Sequence, residues 1–277
     1  MDSHDRPLAL DPPDLVAIDL DGTLVRTDTT ISPATVDAVR RAVEAGVRVV
    51  LATARPPRGC RQIYAQLHLD TWQINHNGAL VYDPLKNRAI HHHQIQGPLA
   101  RRVIELARRT DPNIAAGVEV LDRLYIDRKV AGLSEDPSLA MKEGAVGTLA
   151  SVLDAPVTRV VLVGEPQALG GVHLELDRLG RGALKAAFTH MRLLSVIDGG
   201  ACKALALKRV AAHYEVPRQR VLAIGDAPND LDMLQWAGVS IAVANAWDDV
   251  RRAAHFVVPS NDDDGVAEAL RRYVLRR

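Results

Sequence analysis

The sequence predicts an α/β protein built on a parallel sheet, with a second, α+β segment inserted into it. Three observations predict this. Short apolar runs such as Leu15-Val16-Ala17-Ile18 and Val221-Leu222-Ala223-Ile224 are too short and too β-branched for helices, and read as buried strands. Segments that read as helices alternate with such runs at both ends of the chain. Between about 84 and 195 the alternation loses its regularity. The expected organisation is therefore one core made of residues 1–83 and 196–277, interrupted by an inserted domain over 84–195.

Composition narrows the class. At 277 residues the chain is long enough for one large domain or two modest ones. Lys+Arg and Asp+Glu balance at 34 each, so overall charge gives no reason to expect nucleic acid or an anionic membrane as partner. No apolar run is long enough to span a bilayer, and the first residues lack the apolar core of a signal peptide. Two cysteines, Cys60 and Cys202, do not make a disulfide framework and read as thiols of a reducing cytoplasm. Aromatic residues are only 4%, so the core must rest on Val, Leu, Ala and Ile.

Each element has a local reason. Residues 1–13 are polar and proline-containing and read as a loose lead-in. The first strand covers about 15–20. Ser32-Pro33 looks like an N-cap followed by proline in the first turn of a helix that stops at Gly46. A strand over 47–51 leads to Ala52-Thr53-Ala54-Arg55-Pro56, then a helix near 57–67 and a strand near 72–75. Asn77-Gly78 signals a hairpin turn into 79–82. The inserted segment should hold strands near 88–95, 115–120, 123–127, 158–163 and 184–195, helices near 98–109 and 166–180, and an exposed loop around 132–145. Alternation then resumes with a helix over 201–213, a strand at 221–224 and a helix from about Asp230 to Gly238. Strands at 239–243 and 256–258 follow, and the last helix, about 265–275, has Asp264 as its expected N-cap.

Polar residues gather just beyond these core elements. Ligands of open α/β sheets bind outside the carboxyl ends of the strands, where Asp19 and Asp21 should lie. Two carboxylates that close repel each other and are costly to desolvate, and Mg²⁺ with its preference for oxygen ligands would relieve both problems. With Thr53, Lys203, Asp226, Asn229 and Asp230 they form a set suited to phosphoryl transfer. Asp19 would attack phosphorus and Asp21 would serve as acid and then base. Lys203 would hold a phosphate oxygen and the nucleophile by its point charge. Thr53 would add donors, Asn229 would donate to phosphate or substrate, Asp226 would ligate metal, and Asp230 would orient a metal-bound water from behind.

These stretches resemble the haloacid dehalogenase (HAD) superfamily, close to its Cof-type phosphatases. The resemblance rests on Asp19-Leu20-Asp21-Gly22-Thr23, Leu51-Ala52-Thr53-Ala54-Arg55, Lys203-Ala204-Leu205-Ala206-Leu207 and Gly225-Asp226-Ala227-Pro228-Asn229-Asp230, in that order. Val243-Ala244-Asn245-Ala246 and Asn261-Asp262-Asp263-Asp264-Gly265-Val266 extend it. The resemblance implies a Rossmann-like core with a larger α/β cap in the insertion. It implies Mg²⁺ held by the side chains of Asp19 and Asp226 and the backbone carbonyl of Asp21. It also implies phosphate contacts from the Leu20 and Ala54 backbones, Thr53, Lys203 and Asn229. Two positions depart from the family pattern: Ala54 and Ala204 stand where glycine is usual. A positive φ at position 54 would strain an alanine.

Other features have plainer readings. Arg55 is either a contact to a second anionic group of the substrate or a solvated, ion-paired side chain. His91-His92-His93 reads as a surface strand, because alternate residues face opposite sides and the three cannot form one ligand face. The acidic run over 262–264 reads as a solvated turn and helix cap. Cys202 adjoins Lys203 without an identifiable histidine partner, so it is not read as a nucleophile. Tyr125, Asp127 and His173 are candidate substrate contacts of the insertion. The expected function is a Mg²⁺-dependent phosphatase acting on a small phosphorylated metabolite, sugar phosphates first, with no protein partner implied. A phosphomutase of the same superfamily is an alternative. So is a phospho-acceptor or phosphate-binding protein without turnover, against which Asp21 argues, since a switch needs no acid/base beside its nucleophile.

Overall fold

The computed structural model describes residues 12–130, 146–180 and 182–275. In chain order the elements are β1 (Leu15–Ile18), α1 (Pro33–Glu44), β2 (Arg48–Leu51), α2 (Pro57–Gln66), β3 (Gln73–Asn75), β4 (Leu80–Asp83) and β5 (Arg88–His92). Then come α3 (Gly97–Thr110), β6 (Ala115–Val120), β7 (Arg123–Ile126), β8 (Arg159–Val163), α4 (Pro166–Gly180), β9 (Leu184–His190) and β10 (Leu193–Asp198). The chain closes with α5 (Lys203–His213), β11 (Val221–Gly225), α6 (Leu231–Trp236), β12 (Val239–Val243), α7 (Asp248–Ala253), β13 (Phe256–Val258) and α8 (Gly265–Tyr273). Among the described residues no helix is long and apolar enough to cross a membrane.

The chain divides into two compact units. The first comprises Met1–Ala52, Tyr64–Thr71 and Lys203–Arg277, and the second Thr53–Ile63 and Trp72–Cys202. The first unit is the expected α/β core, a parallel sheet in the order β13-β12-β11-β1-β2. β1, β11 and β12 are buried along their whole length, which is why they read as continuous apolar runs. Ser32 does cap α1, accepting from the Thr35 N–H at 3.0 Å.

The second unit is α+β. One antiparallel sheet runs β7-β6-β8-β10-β9, and a second runs β3-β4-β5. In the larger sheet Ala116, Val118, Val160, Leu162, Leu194 and Val196 share a core with the apolar stripes of α3 and α4. The alternate residues Ala115, Val161, Val163 and Leu193 cluster with Leu124 and Ile126.

Several expectations need correction. The expected boundaries at 83/84 and 195/196 both meet paired sheet: β4 pairs with β5 across the first, and β10 runs through the second. The single strand expected over 184–195 is a hairpin, with β9 and β10 antiparallel around Met191 and Arg192. Helix α7 was not expected. Asp264 precedes α8 but does not cap it. Its φ is +60° and its carboxylate accepts from Arg26 at 2.8 Å instead. In the run over 262–264 Asp262 and Asp263 are exposed and Asp264 half-buried, and the run is tied down, since Asp262 accepts from the Thr27 N–H and hydroxyl at 2.8 and 2.7 Å. The hairpin at Asn77-Gly78 is present, with His76, Asn77 and Gly78 all at positive φ. The loop expected around 132–145 and most of the expected lead-in lie outside the described residues.

Candidate functional site

Parallel pairing sets the first group of side chains. Ile18 lies opposite Ile224, so the residues that follow, Asp19 and Gly225-Asp226, leave neighbouring strands at the same edge of the sheet. The Asp19 N–H bonds the Ile224 carbonyl at 3.0 Å and fixes where the turn begins. Lys203, the first residue of α5, is fully buried and donates to Asp19 Oδ1 and Asp230 Oδ1, each at 2.6 Å. A buried ammonium needs such partners. Burial alone would lower its pKa, but the charges of Asp19 and Asp230 raise it, so it stays protonated.

Asp230 is the residue expected behind the metal. Its carboxylate makes no capping bond to α6. Oδ2 instead accepts from the N–H groups of Asp226 and Ala227 at 3.1 Å each, while Oδ1 takes Lys203. Asp226 Oδ1 accepts from the Thr23 hydroxyl at 2.8 Å. This role for Thr23 was missed from sequence. Its signal in the sequence is its place in the Asp-x-Asp-Gly-Thr run, directly after the two carboxylates. Gly22 has φ +84°, and a Cβ there would lie 2.5 Å from Asp226 Oδ2. Asn245 Nδ2 holds the Gly22 carbonyl at 2.8 Å and Asn261 Nδ2 holds that of Val25 at 2.9 Å, so the turn after Asp19 is fastened from two later loops.

This arrangement fits a divalent cation. Asp19, Asp226 and Asp230 each present a carboxylate oxygen within 4.8 Å of the others. Three carboxylates face one ammonium, leaving an excess of negative charge in a buried place. The Asp19 pKa is raised well above the usual carboxylate range by burial and then by the charge of Asp230, despite Lys203. Burial, with Asp230, pushes Asp226 up to about 6 even though the Thr23 hydrogen bond lowers it. A cation would keep both ionised. Because Asp230 already gives both oxygens to protein donors, Asp19 and Asp226 are the carboxylates that could hold the cation directly. Asp21 and Asn229 are exposed, and Leu20 is buried.

The other candidates lie in the second unit. Thr53 is fully buried, and its hydroxyl accepts from the Arg55 N–H at 3.1 Å. Its own N–H bonds the Ile74 carbonyl at 2.8 Å. Ala54 does not adopt a positive φ, so alanine introduces no strain there. Arg55 is buried rather than solvated, with Nη1 at 3.4 Å from the Gly59 carbonyl. His92 faces away from its neighbours to share a 2.8 Å bond with Thr158, while the His91 and His93 rings meet edge-on at 4.6 Å. His93 Nδ1 lies 3.6 Å from Asp198 Oδ1. Asp127 is occupied structurally, by the Ala116 N–H at 3.0 Å and Arg108 at 3.1 Å. His173, on α4, contacts the Ala186 carbonyl at 3.1 Å. Neither cysteine is disulfide-bonded, as expected.

Comparison with known proteins agrees with this geometry. The family model for haloacid dehalogenase-like hydrolases matches residues 16–270. The Bacillus subtilis 5-amino-6-(5-phospho-D-ribitylamino)uracil phosphatase YitU is 31% identical over 270 residues, covering 94% of this chain and 97% of the relative. Phosphatase YwpJ of the same organism is 28% identical, covering 93% and 98%. The crystal structure of a haloacid dehalogenase-like hydrolase from Bacteroides thetaiotaomicron superposes with a TM-score of 0.81 at 27% identity, covering 94% and 99%. The motifs at the strand ends are thus carried by a match that runs nearly the whole length of the chain, and the protein belongs to the haloacid dehalogenase-like hydrolases as an enzyme of their phosphatase branch.

Proposed function

We propose that this enzyme hydrolyses small phosphomonoesters, sugar and sugar-alcohol phosphates foremost, through a phosphorylated Asp19. The observation that carries the reading is the buried Asp19 carboxylate at the end of β1, held at 2.6 Å by the fully buried Lys203. An aspartate fixed by one oxygen keeps the other for in-line attack, and orientation of this kind removes much of the entropic barrier.

In the first step an Asp19 oxygen bonds to phosphorus as the ester oxygen leaves, taking its proton from Asp21. In the second, water attacks phosphorus, Asp21 takes the water's proton, and the bond to Asp19 breaks to release inorganic phosphate. Asp21 is exposed, which suits a group that must exchange protons with solvent. Mg²⁺, held by Asp19, Asp226 and the Asp21 carbonyl with Asp230 behind, would offset charge between the carboxylate and the anionic phosphate. Leu20, Thr53, Ala54, Arg55, Lys203 and Asn229 are the proposed phosphate and substrate contacts. The second unit is the proposed source of selectivity, and a cytoplasmic location accords with two cysteines that form no disulfide.

YitU is named for a substrate whose phosphate sits on a ribityl chain, so that compound heads the panel to be tested. The experiment is phosphate release from a panel of phosphomonoesters with Mg²⁺, wild type beside Asp19→Asn. Wild type should release phosphate, and Asp19→Asn should fall by at least about a thousandfold with an unchanged circular dichroism spectrum. Release by the variant at the wild-type rate would remove Asp19 as nucleophile. No release by wild type from any ester would overturn the hydrolase reading.

A further inference from the structure

Residues 53–55 lie between β2 and the first turn of α2, and the second unit holds them from both sides. On one side the Asn77 N–H bonds the Thr53 carbonyl at 3.0 Å, and Asn75 Nδ2 and the His76 N–H bond that of Arg55 at 3.2 and 3.3 Å. The other side is unusual. Helix α2 starts at Pro57, and the Ala54-Arg55-Pro56 run that leads into it offers no Ser, Thr, Asp or Asn to satisfy its first N–H groups.

That function is supplied from far along the chain. Asp122, in the turn between β6 and β7, accepts from the Arg58 backbone N–H at 2.7 Å and from Arg61 Nη2 at 2.9 Å. The Arg58 guanidinium bonds Glu119 on β6, and the second Glu119 oxygen takes Arg159 of β8 at 2.8 Å. Glu119 is 0% exposed and Arg159 1%. A carboxylate at a helix N-terminus is favourable, and charge-assisted bonds in a buried place are the strong kind.

We propose that Asp122 and Glu119 are positioning residues for the phosphate-binding loop at 53–55, capping and anchoring the first turn of α2 from a different sheet. The inference rests on the reading of Thr53 as a phosphate contact. Its consequence is that the geometry of this loop depends on two carboxylates that touch no substrate. A loosened loop would bind the phosphoryl group less well in ground and transition states alike, which raises KM and leaves kcat nearly unchanged.

The test uses the full-length enzyme with Mg²⁺ and its best ester, with inorganic phosphate as competitive inhibitor. Asp122→Ala should raise KM and the phosphate inhibition constant together, by about tenfold, with kcat within about twofold of wild type. Asp122→Asn keeps a carbonyl acceptor for the Arg58 N–H and should restore both constants to near wild type. Glu119→Gln leaves two buried guanidiniums facing a neutral group and can cost the fold. Asp122, whose side chain is 14% exposed, is therefore the variant that decides. Thr53→Val runs alongside. If Thr53→Val weakens phosphate inhibition and Asp122→Ala does not, the positioning role is wrong. It is also wrong if Asp122→Ala lowers kcat with KM unchanged. If Thr53→Val has no effect, the phosphate-loop reading fails and takes this inference with it.

Discussion

Asp230 and Lys203 are joined at 2.6 Å with neither side chain exposed to solvent. The bond links the end of the turn after β11 to the start of α5, two stretches that the second unit separates in sequence from β1. Asp230 is thereby a hub. Its two oxygens order Lys203 and the Asp226 turn at once, and Lys203 in turn fixes Asp19.

Lys203→Met should therefore disable the site and weaken the fold. The variant leaves Asp19 and Asp230 buried and facing each other without a counter-charge. Removing one partner of a buried ion pair costs about 3–5 kcal/mol. Urea denaturation should show a loss of that size, and phosphate release should fall by at least about a hundredfold. Wild-type stability in the variant would mean that the pair is not buried as described.

Two glycines with nearly the same φ separate strain from contact. Gly22 and Gly46 lie at +84° and +85°, but a Cβ at Gly22 would meet Asp226 while one at Gly46 would meet nothing within 4 Å. Gly46→Ala should cost about 1 kcal/mol of stability, with turnover unchanged. Gly22→Ala should cost that and also displace the Asp226 carboxylate, lowering activity by about tenfold or more, as misplacement near the chemistry does. Equal activities in the two variants would argue against a role for the Gly22 approach.

The acidic cluster gives a prediction about metal. Mg²⁺ that binds the native state raises its thermal midpoint by mass action. The wild-type midpoint should rise with Mg²⁺ concentration, and exhaustive chelation should stop phosphate release until Mg²⁺ is restored. Asp226→Asn should lose the Mg²⁺-dependent rise. Calorimetric titration of the metal-free protein checks the same point directly. Full activity after complete metal removal would contradict the reading.

The parts of the molecule legible in the sequence are those where chemistry and chain position coincide. Asp19 and Asp226 stand at the ends of apolar runs, so a strand assignment carries the carboxylates to one sheet edge. The Arg58–Glu119–Arg159 group was invisible for the opposite reason. Charged residues far apart in the sequence read singly as surface, and only the pairing of β6 with β8 and the course of α2 bury them together. The β9–β10 turn escaped because Met191-Arg192 carries no Gly, Pro, Asn or Asp. Asp264 failed as a cap because its left-handed backbone, unpredictable from a single aspartate, turns the side chain to Arg26.

That buried charge also makes a prediction about acid. The His76 imidazole is buried near Glu119, Arg159 and Arg58, at a residue with φ +50°. Burial lowers its pKa to about 3 from an ordinary value of 6.5, Glu119 opposing and the two arginines adding to the shift. Between those values the unfolded chain binds a proton that the folded chain does not. Stability therefore rises with pH through this window, and it falls as the pH drops below about 6.5, by about 1.4 kcal/mol per unit. Asn tolerates left-handed backbone and does not titrate, so His76→Asn isolates the effect. Denaturant unfolding at pH 7 and pH 5 should show wild type losing about 2 kcal/mol more than the variant over that interval. The upper part of the window avoids the region below the ordinary Glu value of 4.5, where Glu119, whose own pKa is lowered, begins to contribute with the same sign. Parallel losses in the two proteins would show that His76 takes up its proton as readily in the folded state as in the unfolded one.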